Sequence, residues 1–121
     1  MPGVHSIWEL LGHVTAWTRV VDSRVRGNIA ELEGETNFPP VLEASEQAWS
    51  AVWEDFRRAE RELAATLRGL NDDDLNGPVP NRDYNRSHML HGLAHHNAYH
   101  AGQMSLLKRA LEERRKGAAQ D

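Results

Sequence analysis

An all-α helical bundle is the fold class this sequence predicts, and three observations carry the prediction. Apolar residues recur at helical spacing in three stretches, proline and glycine clusters separate those stretches, and no alternating run is long enough to build a sheet. At 121 residues the chain has room for a single domain, 1–121, with a core of its own.

The first helix starts behind Ser6, whose hydroxyl can cap it, and Glu9 three residues later completes a capping box. From Ile7 the apolar positions Leu10, Val14, Trp17 and Val21 share one face, and the helix should fade near Gly27. Asn37-Phe38-Pro39-Pro40 marks the loop that follows. The second segment runs from about Val41 to Leu70. Leu42, Trp49, Val52, Trp53, Phe56, Leu63, Leu67 and Leu70 form its apolar stripe, and Glu54, Asp55, Arg57, Arg58, Arg61 and Glu62 form a solvent face. On this pattern Trp49 and Trp53 are core residues. Asn71-Asp72-Asp73-Asp74 ends the helix, and Gly77-Pro78-Val79-Pro80 opens a long connection anchored by Tyr84. The third helix begins near Asn85 or Ser87 and runs through Leu111. Arg109, Arg114, Arg115 and Lys116 lie near its negative end, and the tail frays from Gly117.

Composition narrows the functions. Without cysteine there is no disulfide scaffold, thiolate zinc site or cysteine nucleophile. A net charge of −4, with both signs mixed along the chain, argues against a nucleic-acid binder. No stretch is long and apolar enough for a membrane span, and the N-terminal residues lack the features of a signal peptide. The expected setting is cytoplasmic.

Histidine is the outstanding residue: seven in all, five of them between His88 and His100. Two pairs have the i, i+4 spacing that stacks imidazoles on one helix face, His91/His95 and His96/His100. On a helical wheel with Leu93 at zero, His96 and His100 lie about 60° and 20° away, among Met89, Met104, Leu107 and Leu111. His88, His91 and His95 fall on the opposite face, toward solvent or a partner. Two imidazoles in a core stripe need a shared reason, either a metal ion or hydrogen bonds to buried hydroxyls or carboxylates. His13, beside Leu10, Trp17 and Val20 on the inward arc of the first helix, is the natural third ligand, whereas His5 precedes that helix. Three neutral imidazoles favour Zn²⁺ or Ni²⁺ over Mg²⁺ or Ca²⁺. Glu60, inside the apolar stripe of the second helix, is a candidate general base, a partner for a histidine, or a carboxylate reaching past the helix edge to water.

The stretch His96-Asn97-Ala98-Tyr99-His100-Ala101-Gly102-Gln103, followed by Leu106-Leu107-Lys108, resembles the last-helix motif of the DinB/YfiT-like family of metal-binding helical bundles. Ser6 to Trp17, with His13 in its apolar context, resembles that family's metal-bearing second helix, and the likeness extends to about Leu111. The resemblance implies an up-down bundle of the four-helix type and a zinc or nickel ion held in an open site by His13, His96 and His100. It also implies a packing or supporting role for Gln103. A helix that usually precedes the His13-bearing one is missing from this reading, so a homodimer is expected to complete the bundle. By resemblance the function is that of a metal-dependent enzyme, a hydrolase or a thiol-dependent S-transferase, acting on a small-molecule substrate. A low-molecular-weight thiol would serve as cosubstrate. The alternatives are a non-enzymatic metal-binding or stress-response protein acting through its dimer or partner surface, and a structural module whose inward histidines are satisfied without metal.

Overall fold

The structure, a computed structural model, describes residues 6–41 and 44–120, without the side chains of Glu35 and of residues 118–120. His5 and Leu42 lie outside the described residues. Among those described there are four α-helices, α1 (Ile7–Val25), α2 (Glu46–Arg68), α3 (Asp72–Asn76) and α4 (Arg86–Gln120), with a 3₁₀ turn at Gly34–Thr36. The only strand-like pairing among them is an isolated bridge between Pro78 and Asn85, so the all-α expectation holds. No helix is long and apolar enough to cross a membrane.

The helix ends follow local chemistry. Ser6 Oγ accepts from the Glu9 N–H and Glu9 Oε1 accepts from the Ser6 N–H, both at 3.1 Å, which is the capping box read from the sequence. Gly27, at φ +98°, supplies the left-handed turn that follows α1. α2 starts later than expected, at Glu46, because the Ser45 hydroxyl caps the Ala48 N–H. Asn71-Asp72-Asp73-Asp74 does not end α2, which has already stopped at Gly69. Asn71 and Asp74 instead form a reciprocal capping box that starts the short α3. α4 continues well past Leu111 and through Gly117, so the tail is helical where fraying was expected.

α1 is the central element. It packs against both α2 and α4, which barely touch each other. Trp8 meets Trp49 near the start of α1 and α2, at 5.4 Å between ring centroids, and Val21 and Val25 share a cluster with Leu63, Leu67 and Leu70 near their ends. The two helices are therefore parallel, joined by the long crossover from Arg26 to Ser45. α4 runs antiparallel to them: its first turns contribute Met89, Leu90 and Leu93 to that cluster, together with Val79. The direction pattern thus departs from simple up-down alternation, because the crossover returns the chain to the starting end before α2 begins. Arg86 clamps the start of α4, donating from Nε to the Val25 carbonyl at 3.0 Å and from a terminal nitrogen to the Asp74 carbonyl at 3.1 Å.

Trp49 and Trp53, expected in the core, are exposed instead, Trp53 at 43%. The physical reason is the open packing: α2 packs chiefly on α1, and Ala59 is its one buried residue. Leu106 and Tyr99 on α4 are 66% exposed for the same reason.

Two glycines test this account. A Cβ on Gly77 would lie 2.6 Å from an Arg86 guanidinium nitrogen, so Gly77→Ala should displace the clamp and lower stability by about 1–2 kcal/mol. Gly102, in open space on α4, should gain about 0.5–1 kcal/mol when changed to Ala. Urea unfolding of both variants checks the two signs.

Candidate metal centre

His13 sits on the inward face of α1 and is only 4% exposed. Its Nδ1–H donates to the Asn37 carbonyl at 2.8 Å. The same asparagine accepts the Trp17 indole N–H on its side-chain oxygen at 2.9 Å, and Phe38 stacks on the His13 ring at a centroid distance of 4.0 Å. The crossover therefore grips His13 from one side. α4 supplies His96 and His100 from the other, one helical turn apart, with ring centroids 4.5 Å from each other and 4.9 and 4.7 Å from His13. His100 Nδ1 faces the Gln103 side-chain oxygen at 2.5 Å and His96 Nδ1 faces that of Asn97 at 3.2 Å.

These partners determine which nitrogen is available. A backbone carbonyl can only accept, so neutral His13 carries its proton on Nδ1 and presents a bare Nε2 inward. The amide oxygens opposite His96 and His100 favour the same tautomer. One ligating nitrogen from each ring lies within 4.8 Å of the others, and the His13 and His96 Nε2 atoms are 3.0 Å apart. Two imidazoles on one tetrahedral zinc stand roughly 3.3 Å apart, from nitrogen–metal distances of about 2.05 Å. The donor set and spacing fit a divalent ion of borderline softness.

The structure brings His13, His96 and His100 together, and the hydroxyl or carboxylate partners of the alternative reading are not what their rings bond. His91 and His95 are exposed, as the wheel places them, and His91 Nδ1–H donates to the Ser87 carbonyl one turn back. His88, assigned to the same outer face, is likewise exposed; it also borders the cavity beside the triad, with its ring 5.5 Å from that of Tyr84. Glu60 is exposed and does not line the cavity, so it is neither the general base nor a partner for the triad. Gln103 supports His100, as the resemblance implies. Asn37 and Phe38 were legible only as loop residues: an orienting contact across 24 positions has no spacing signature.

The triad opens into a cavity of about 560 Å³ walled by Trp17, Val21, Met89 and Leu93. Burial pushes the His13 imidazole below its ordinary pKa, and His96 and His100 press the same way against the opposing hydrogen bonds to Asn37. Burial likewise lowers His96, against its bond to Asn97. Both therefore favour the neutral, metal-ready form. With folded pKa values below the unfolded one, protons bind the unfolded chain preferentially. Stability should then be full above pH ~6.5 and fall as pH drops below it. Calorimetry on metal-free protein should show a lower Tm at pH 5.5 than at 7.5, with a smaller difference in His13→Gln/His96→Gln. A parent no more pH-sensitive than the variant would contradict these shifts.

No curated protein matches the sequence, and no solved structure does. A family model does match, that of the DinB superfamily, over residues 1–104. That span takes in α1, α2, α3 and the part of α4 that carries His96 and His100, and on it the chain belongs to the DinB superfamily.

Proposed function

We propose that this chain is a small divalent-metal enzyme, a hydrolase or a thiol-dependent S-transferase, in which His13, His96 and His100 hold zinc or nickel. The observation that carries the reading is the convergence of three histidine nitrogens at the end of an apolar cavity. When bound, the ion supplies Lewis acidity, which lowers the pKa of a water or thiol and polarises an electrophile. The protein's residues do the rest. Asn37 and Phe38 fix the His13 ring, Gln103 orients His100, and Trp17, Val21, Met89 and Leu93 exclude water from a small substrate. Any thiol arrives with a cosubstrate, since the chain has no cysteine.

Untagged protein should carry near one equivalent of zinc or nickel by mass spectrometry, and the His96→Ala/His100→Ala variant little. Chelation should lower the parent's Tm. Turnover of an ester or thiol–electrophile panel should require the metal and disappear in His100→Ala. Full metal occupancy with no turnover across the panel would remove the enzymatic part.

A second reading, a metal-binding or stress-response protein acting through a homodimer, is favoured by one observation. Trp49 and Trp53 on α2 and Leu106 and Leu111 on α4 are large, apolar and exposed. Two-fold pairing of chains would cover them. Sedimentation should then show a dimer that Trp53→Glu or Leu106→Glu converts to monomer; a monomeric parent at high micromolar concentration would end this reading.

A further inference from the structure

The cavity beside the triad has a charged residue that metal binding does not use. Arg24, in the last turn of α1, is 6% exposed and lines this cavity. Its Nε–H donates to the Ala30 carbonyl at 2.8 Å, which fixes the side chain. Its two terminal nitrogens have no partner among the described residues. Neither is a sealed-off, unsatisfied atom, so both keep some exposure to solvent. The nearest carboxylate in sequence, Asp22, is turned away and occupied by the Thr66 hydroxyl and Arg26. No carboxylate lines the cavity among the described residues, so the guanidinium charge is nearly buried without a counter-ion.

Position gives this charge a use. The Arg24 guanidinium carbon lies 5.7 Å from the Trp17 ring centroid, and the His96 ring lies 5.9 Å from the same indole. Trp17 thus has the triad near one part of its surface and a fixed cation near another, with Leu93 and Met89 completing an apolar wall. We infer that Arg24 anchors the carboxylate of an anionic ligand whose apolar part lies along Trp17, with its other end toward the triad. This rests on the reading of the cavity as a ligand site. A guanidinium presents paired donors to a carboxylate, and a desolvated pair of this kind is stronger than a neutral hydrogen bond.

The test uses phenylacetate and its neutral isostere phenylacetamide, titrated calorimetrically into the metal-loaded and the chelator-stripped protein. Phenylacetate should bind at least about tenfold more tightly than the amide in both forms. Arg24→Gln should remove that preference while leaving amide affinity within about twofold, and Arg24→Lys should retain part of it. A preference that disappears on stripping and survives Arg24→Gln would place the carboxylate on the metal and overturn the role of Arg24, leaving the metal reading intact. Equal binding of the two ligands, or no binding of either at millimolar concentration, would overturn it outright. Should Arg24→Gln not fold, the ligand pair on stripped parent protein decides alone: a retained preference supports the inference and a lost one ends it. A chain that takes up no metal is decided the same way.

Discussion

The structure depends on the nearly complete burial of α1. Eleven of its nineteen residues are buried, and they include His13, Thr15, Thr18, Asp22 and Arg24 as well as the apolar face. A helix wrapped this way must satisfy its polar groups internally. Thr15 and Thr18 donate back to the carbonyls of Leu11 and Val14, Asp22 accepts from Thr66 on α2, and His13 and Arg24 reach the crossover at Asn37 and Ala30. At the surface Arg19 adds a two-point ion pair with Asp55 that holds α2 in place and keeps the Asp55 carboxyl below its usual range. Apolar burial brings the helices together, while these bonds fix the rotation of α1 and thereby the direction in which His13 faces.

That rotation makes the cavity asymmetric. One side of α1 gives its aliphatic residues and Asp22 to α2, and the other gives His13, Trp17, Val21 and Arg24 to the space against α4. The crossover serves both the fold and the site. It allows α1 and α2 to run parallel, and on its way it places Asn37 and Phe38 against a histidine that would otherwise be free to choose its tautomer and rotamer.

Local chemistry was legible in the sequence and distant chemistry was not. The Ser6–Glu9 capping box, the helical period of α1 and the inward placing of His96 and His100 follow from contacts within a few residues, and the structure bears them out. The triad required one long-range assumption, that the inward faces of α1 and α4 meet, and the family resemblance supplied it. Trp49 and Trp53 show the limit of an amphipathic pattern: it says which face of α2 is apolar but not how many neighbours will cover it. His88 is exposed as the wheel places it, but its contact with Tyr84 at the rim of the cavity has no spacing signature. The parallel course of α1 and α2 has no period or cap to announce it.

The order of the elements bears on how the molecule assembles. In a simple up-down bundle each helix finds its partner in the next segment of chain, and folding is fast because few long loops must close. Here His13 meets His96 across 83 positions, and α1 and α2 align only after the crossover has run back along the molecule. The early chain can cap α1 and form α2, but the histidine cluster is incomplete until α4 docks. During synthesis, a ribosome must release most of α4 before the site exists. The histidine cluster therefore forms all at once, with the docking of α4 as the step that sets its timing.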